Sequence, residues 1–276
     1  MKNSSLLLID GMNYLYNSDF GNGIYLGGKR VSGVLNFLRK LRKVIKSNLK
    51  SHIIVCWDSR SEKRKKIFSD YKKGRKKNKL YYEMLDQSDL LDDVLFLLGI
   101  QTCHVDGLEA DDIIGSFAFS FDGNVKIYSQ DSDLFQLVND KVTVISKNVK
   151  ITKENFEAIT DIPHDFFILF KAVVGDSGDN IPGIVGIGEK TFKKILKYSD
   201  YDIEKFLNHE KIRSHFDILE RNMSLIQLDP IKIPCEITKL SVDKEKFRAW
   251  CYKMKFVSIL KDFSNFIGPF RMRGMS

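Results

Sequence analysis

The chain has 276 residues, 43% hydrophobic and 29% charged, a globular composition that excludes a disordered, collagen-like or low-complexity protein. Its net charge of +8 is concentrated: Arg60 to Lys79 holds eleven basic and two acidic residues, a local +9, and the other 256 residues carry about −1. The opening apolar run, Leu6 to Ile9, is far too short for a bilayer helix or a signal-peptide core, so a cytoplasmic protein with no membrane partner is expected. One basic segment on a near-neutral body points to a polyanion, most often nucleic acid, with a solvated surface loop as the alternative.

Leu6-Leu7-Leu8-Ile9 is a continuous aliphatic run ending at Asp10-Gly11, the pattern of a strand buried on both faces. Val34 to Ile45, with Leu35, Leu38, Leu41 and Ile45 on one stripe, reads as a helix. Ile53 to Trp57 is a second strand, ending at Asp58. Past the basic run, Lys79 to Leu98 predicts an amphipathic helix stopped by Gly99. Ile100 to Val105 is a further strand leading into Gly107-Leu108-Glu109-Ala110-Asp111-Asp112, where three acids crowd the first turn of a helix. Val125 to Tyr128 precedes Gln130-Asp131-Ser132-Asp133. Strands alternating with helices predict a parallel α/β sheet, whose ligands sit beyond the strands' carboxyl ends. A single Asp there is often only a helix cap; acids after three strands together suggest a site.

After about residue 160 helical patterns dominate: Phe166 to Val174, Lys190 to Tyr198 and Ile203 to Leu207. Between them lies Gly175-Asp176-Ser177-Gly178-Asp179-Asn180, followed by a glycine hairpin with Gly183, Gly186 and Gly188 that enters a helix bearing Lys190, Lys193 and Lys194. Such a hairpin lets backbone N–H groups approach phosphate, and a duplex-backbone clamp is expected.

Nine carboxylates stand out: Asp10, Asp58, Glu109, Asp111, Asp112, Asp131, Asp133, Asp176 and Asp179. Gathered in one crevice they would repel one another unless cations neutralised them, and carboxylate donors suit Mg²⁺ or Mn²⁺. Two such ions roughly 4 Å apart stabilise the attacking and leaving oxygens of a phosphodiester displacement. The five histidines and four cysteines show no zinc-ligand spacing, and Cys56, Cys103, Cys235 and Cys251 read as reduced thiols.

These segments, in this order and spacing, resemble the flap endonuclease or 5′–3′ exonuclease family, which includes the 5′-nuclease domains of bacterial DNA polymerase I and stand-alone phage enzymes. The resemblance covers nearly the whole chain and implies a free-standing nuclease, since no polymerase domain follows. Its fold would be an α/β, parallel-sheet PIN-like core with a helical arch, and a helical C-terminal region carrying a helix–three-turn–helix motif. Residues 1–165 would form the core, including a basic arch at 60–98, and residues 166–276 the DNA-binding region, with the motif at about 172–198.

By position, Asp10, Asp58, Glu109, Asp111 and Asp112 match the acids of the family's first metal site, and Asp131, Asp133, Asp176 and Asp179 those of the second. Tyr71-Lys72-Lys73-Gly74-Arg75 matches the arch block: Lys72 would contact the scissile phosphate, Arg75 assist, and Tyr71 stack on a base. Asp10, Asp112, Asp131, Lys72 and Arg75 are the catalytic candidates. Tyr71, Lys72, Arg75, Gly183, Gly186, Gly188, Lys190 and Lys193 are the candidates for DNA contact. Two Mg²⁺ ions, replaceable by Mn²⁺, and a K⁺ held by backbone oxygens of the helix–three-turn–helix are implied. So is a monomer acting on flapped, nicked or branched DNA, or on RNA–DNA hybrids, in a bacterial or phage-infected cytoplasm, for primer removal and repair.

Many relatives read Tyr-Leu-Tyr-Arg after the first acid, whereas this chain reads Tyr14-Leu15-Tyr16-Asn17, leaving Arg30 or Lys29 to take the missing arginine's place. Three rival readings are weaker. A non-catalytic junction binder would not need nine intact acids. An aspartyl-phosphate phosphatase needs a second acid where Asp10-Gly11-Met12 has none, and a PIN-like RNase leaves the glycine hairpin unexplained.

Overall fold

β1 (Ser5–Asp10) carries the aliphatic run, and Leu6 to Ile9 are fully buried. Successive side chains of a strand point to opposite faces, so Leu6 and Leu8 enter one hydrophobic core while Leu7 and Ile9 enter another. That double burial is why the strand reads as an unbroken apolar run. The computed structural model describes residues 5–20, 23–59, 61–75 and 77–273; Arg60 and Lys76 of the basic run, and the outermost residues of the two expected regions, lie outside them.

In chain order β1 is followed by α1 (Gly11–Tyr16), a ribbon of β2 (Tyr25–Leu26) and β3 (Lys29–Arg30), α2 (Ser32–Lys46) and β4 (Ser51–Cys56). Then come α3 (Glu62–Ile67), α4 (Lys79–Leu97), β5 (Gln101–Cys103), α5 (Ala110–Ser120), β6 (Asn124–Tyr128), β7 (Val142–Ser146) and β8 (Val149–Ile151). The main sheet has the order β5-β4-β1-β6-β7-β8, parallel except for β8. Since β4 and β6 flank β1, the direction of winding reverses there, and the carboxyl ends of these three strands face the crevice where α/β sheets bind ligands.

The sequence reading did not single out β7 and β8. β7 alternates buried Val142, Val144 and Ser146 with half-buried Thr143 and Ile145, a short and weak signal; its hairpin to β8 turns on Lys147 and Asn148, both at positive φ. The helix expected to end at Gly99 does so, with Gly99 at φ +66°. Its later residues Leu91, Val94 and Leu95 are buried, so this part of the 60–98 segment is core, whereas the turn after α3 reaches the acids through Tyr71, Lys72 and Arg75.

Downstream lie α6 (Phe156–Thr160), α7 (Phe167–Val174), a ribbon of β9 (Gly175–Asp176) and β10 (Ile181–Pro182), α8 (Glu189–Tyr198), α9 (Ile203–Asn208), α10 (Glu210–Arg213) and α11 (Phe216–Ile226). Irregular chain then leads to α12 (Lys244–Lys253), α13 (Val257–Leu260) and α14 (Phe263–Met272). The helical region divides between the two faces of the sheet. α7, α8 and α11 share the core of Leu6, Ile54 and Ile127, whereas α12 to α14 share that of Leu7, Val55 and α2.

Phe247 of α12 is fully buried, its ring stacked 5.7 Å from Phe263 and 6.0 Å from Phe266. Truncating a buried Phe to Ala typically costs about 3–5 kcal/mol. Phe247→Ala is therefore expected to lower the melting temperature of the whole chain by roughly 6–20 °C in one transition, at about 2–4 °C per kcal/mol. A separate low-temperature transition that leaves the main melt in place would show that α12 is not part of the shared core.

Candidate active site

The acids after β1, β4 and β6 both cap local structure and face the crevice. Asp10 accepts the Asn13 amide with Oδ1 (3.1 Å) and the Ser129 hydroxyl with Oδ2 (2.8 Å). Asp58 accepts the Ala110 amide at the start of α5 (3.0 Å), and Asp131 accepts the Asp133 amide (2.9 Å). Gly11, next to Asp10, has no room for a Cβ, which would stand 2.3 Å from the Trp57 ring; this contact sets the β1 and β4 ends side by side. Burial, with Asp58 next in importance, pushes the Asp10 carboxyl up to about 7. Asp58 opens to solvent, yet the surrounding protein raises its carboxyl too.

Glu109, Asp111 and Asp112 line the first turn of α5. Arg64 of α3 reaches among them: Nη1 donates to Glu109 Oε2 (2.9 Å) and Asp112 Oδ2 (2.8 Å), and Nη2 donates to Asp112 Oδ1 (2.8 Å). Burial raises the Asp111 carboxyl well above the usual range despite Arg64. The turn after α3 folds down onto the same acids. Lys72 Nζ lies 2.8 Å from Glu109 and 3.5 Å from Asp179, and Arg75 Nη2 lies 2.6 Å from Asp179. Burial alone would lower the Lys72 ammonium, but Glu109 and Asp179 outweigh it and raise it, so it stays charged. The turn is fastened by the Lys72 amide donating to the Asp179 carbonyl (2.9 Å).

Tyr71 departs from expectation. Instead of offering a stacking face to a base, it is 3% exposed, with its hydroxyl within hydrogen-bonding reach of Glu109 (2.8 Å) and Asp179 (2.9 Å), which share its single proton. Burial first, then those two carboxylates, raise its phenol and keep it neutral as a donor.

The other wing of the crevice is organised by Lys171 of α7, which binds Asp133 and lies 2.7 Å from Asp176 Oδ2. Burial pushes Asp133 up to about 6, with Lys171 opposing. At Asp176 burial also works upward, but Lys171 and the Gly178 and Asp179 amides outweigh it and lower the carboxyl. The loop between β9 and β10 that presents Asp176 and Asp179 needs its glycines. A Cβ on Gly175, which sits at φ +88°, would stand 2.4 Å from the Gly183 nitrogen, and one on Gly183 would stand 2.2 Å from the Val174 carbonyl oxygen. Gly183 is thus explained by backbone packing against α7 rather than by phosphate approach; Gly186 and Gly188 have open space around them. Lys190 is exposed at the start of α8, and Lys193 pairs with Asp161 and Glu189.

Contacts and mutual charge link all nine carboxylates into one cluster: Asp10 to Asp58 and Asp131, Asp131 to Asp133, Asp133 through Lys171 to Asp176, Asp176 to the Asp179 amide, Asp179 through Lys72 to Glu109 and its α5 neighbours, and Glu109 back to Asp58. Three members escaped the sequence reading. In the sequence Arg64 is one of the eleven basic residues between Arg60 and Lys79, and Ser129 carries no signal. Lys171 did carry one, as a lone charge on the apolar helix Phe167–Val174. Arg30, one of the two residues expected to replace the arginine missing at Asn17, has its guanidinium forked onto the buried Asp19 carboxylate (2.6 and 3.1 Å). Lys29 is exposed, 3.7 Å from Asp86.

Among the described residues no three carboxylates, histidines or cysteines form a ready-made metal cage; Lys72, Arg75, Arg64 and Lys171 stand between the acids. The donor set is nevertheless all hard carboxylate oxygen, which fits Mg²⁺ or Mn²⁺ and not a thiolate- or imidazole-preferring ion.

A carboxylate crevice at the switch point of a parallel sheet, roofed by a basic turn, defines a PIN-like α/β architecture of the nuclease type. Residues 5–161 match the family model described as the 5′–3′ exonuclease N-terminal resolvase-like domain. A 5′–3′ exonuclease of Bacillus subtilis is 37% identical over 218 residues, 73% of each chain. One of Aquifex aeolicus is 32% identical over 247 residues, 87% of this chain and 82% of the relative. In structure, the bacteriophage T5 flap endonuclease in a pseudo-enzyme–product complex with DNA and metal ions has a TM-score of 0.65 at 17% identity, covering 96% of this chain and 99% of that one. The chain belongs to the 5′–3′ exonuclease family, and it is a nuclease. Among the described residues no helix is long and apolar enough to cross a membrane.

The raised acids give a test in chelator. Between the ordinary Asp value of 3.8 and about 7, the folded state holds a proton on Asp10 that the unfolded chain has released, so stability falls as pH rises through that window. Asp133 adds to the fall up to about 6. Asp10→Asn should flatten the decline and raise the EDTA melting temperature at pH 7.5 by as much as roughly 8–16 °C, taking about 4 kcal/mol at 2–4 °C each. Parallel melting curves for variant and wild type from pH 4.5 to 7.5 would contradict the raised Asp10.

Proposed function

We propose that the protein is a divalent-metal-dependent, structure-specific 5′ nuclease, acting as 5′–3′ exonuclease and flap endonuclease on DNA 5′ ends and flaps in primer removal and repair. The observation that carries this reading is the single cluster of carboxylates beneath the Lys72–Arg75 turn. The DNA and metal ions in the T5 flap endonuclease complex support it.

Asp10, Asp58, Glu109 and Asp111 on one side, and Asp131, Asp133, Asp176 and Asp179 on the other, would hold two Mg²⁺ ions, with Mn²⁺ as a substitute. When bound, such ions supply Lewis-acid stabilisation of the attacking and leaving oxygens and make water more acidic. The chain's own groups do the rest. Lys72 and Arg75 exchange their carboxylate partners for the scissile phosphate, a compact ammonium and a planar fork suited to phosphate oxygens. Exposed Lys63, Lys65, Lys66, Lys73, Lys77 and Lys79 line the outside of α3 and the turn as a track for the single-stranded 5′ arm. The open hairpin at Gly186 and Gly188, with Lys190 behind it, meets the downstream duplex through its backbone, where carbonyl oxygens would also bind K⁺. Recognition through phosphates reads shape rather than sequence, so flaps, nicks and branches are the substrates, RNA–DNA hybrids included, and the enzyme works as a monomer in the cytoplasm.

A labelled 5′-flap duplex in Mg²⁺ should be cut near the junction, leaving a 5′-phosphate and a 3′-hydroxyl, with no cutting in EDTA. Cleavage unaffected by chelator would refute metal dependence, and an intact flap in Mg²⁺ would leave a junction binder. If about 6–10 phosphates are neutralised, affinity for the same duplex should fall roughly 10³–10⁵-fold between about 50 and 200 mM salt; a flat response would remove the basic track from the interface.

A further inference from the structure

The cations standing among the acids differ in how they are held. Lys72 and Arg75 belong to a surface turn, their side chains 18% and 59% exposed, and are placed to exchange a carboxylate for another anion, whereas Lys171 of α7 is 10% exposed between Asp133 and Asp176. Arg64 is different. Its side chain is 6% exposed, and four of its five N–H groups are taken: Nε donates to the Leu225 carbonyl of α11 (2.9 Å), Nη1 to Glu109 and Asp112, and Nη2 to Asp112, with Asp111 Oδ2 a further 3.6 Å from Nη2. Withdrawing it would strand a buried guanidinium and the carboxylates it serves.

Asp112 shows the other half of the arrangement. Each of its two oxygens accepts an Arg64 N–H at 2.8 Å, and Oδ2 also accepts the Glu109 amide at 3.0 Å. This is the bidentate fork that arginine makes with a carboxylate, closed on the far side by the helix's own backbone. Glu109 divides its oxygens between Arg64 and Tyr71 on one and the exposed-turn Lys72 on the other, so one oxygen is held only by a movable partner. Asp112 has no oxygen in that condition.

We propose that Asp112 is not an ion ligand but the fixed partner of Arg64, and that Arg64 is a positioning residue that sets Glu109 and the first turn of α5 against α3 and α11. The assignment rests on the reading that the cluster binds divalent cations, and it takes Asp112 out of the set of acids available to them.

The test is Mn²⁺ binding to the full chain, followed by electron paramagnetic resonance of free Mn²⁺, for wild type, Asp112→Asn, Asp111→Asn and Arg64→Lys. Asn at 112 keeps one oxygen acceptor for Arg64, so that variant should bind the wild-type number of ions with a Kd within about threefold. Asp111→Asn should weaken binding tenfold or more. Arg64→Lys removes no carboxylate, yet it should weaken binding about tenfold, because one ammonium cannot reproduce a fork that reaches Glu109, Asp112 and the Leu225 carbonyl. If Asp112→Asn fails to fold, Asp112→Ser, whose hydroxyl still offers Arg64 an acceptor while no carboxylate remains, takes its place and should retain the wild-type ion count. Loss of an ion in either replacement, to the extent seen in Asp111→Asn, overturns the assignment and leaves the ion-binding reading standing. A wild-type chain that binds no Mn²⁺ overturns both.

Discussion

Nine carboxylates held in one crevice repel one another, and the rest of the molecule is arranged around that repulsion. It is relieved in three ways. Burial drives protons onto some of the acids, with Asp10 at about 7 and Asp133 at about 6. Helix starts and turns donate backbone N–H groups to Asp10, Asp58, Asp131 and Asp176. Four basic side chains, Arg64, Lys72, Arg75 and Lys171, place their charges between the acids. The first two devices cost nothing in access, while the third occupies the space that incoming cations need.

The cluster is therefore inseparable from the turn above it and the helices behind it. The Lys72 amide pairs with the Asp179 carbonyl, which ties the turn to the β9–β10 loop. Behind that loop, buried Asn222 of α11 donates to the carbonyls of Ala172 and Pro182 at 2.7 and 2.9 Å, tying α7 and β10 across the loop's two ends. α11 thus braces both wings, through Leu225 to Arg64 and through Asn222 to the loop. Binding of a polyanion by Lys72 and Arg75 would free one oxygen each of Glu109 and Asp179, while Arg64 and Tyr71 keep hold of the others.

Much of this was legible in the amino-acid sequence, for identifiable physical reasons. The strands of the sheet centre are buried on both faces and so leave continuous apolar runs, and the acids at their ends could be read by position alone. The Gly-Asp-Ser-Gly-Asp-Asn segment announced itself because a tight loop needs glycine at Gly175 and Gly183, where backbone approaches backbone. What was hidden depends on long-range partners. The pattern of Phe247, Cys251 and Phe263 shows that α12 and α14 bury a face, but not that they cross to the side of the sheet opposite α7 and α11. Tyr71 sits in an exposed-looking basic stretch, yet its ring goes inside because its hydroxyl finds two carboxylates. Arg64 is indistinguishable by composition from the lysines around it, and only its place on the inward side of a six-residue helix separates it from them.

The central claim, that the crevice holds its acids partly as protonated groups until divalent cations replace those protons, is tested most directly by calorimetry. Mg²⁺ is titrated into metal-free protein at pH 7 in two buffers of different ionisation enthalpy. Asp10, pushed up to about 7, is then about half protonated, so the account predicts release of roughly half a proton or more per chain on saturation, seen as a buffer-dependent heat. A binding heat identical in the two buffers would contradict it.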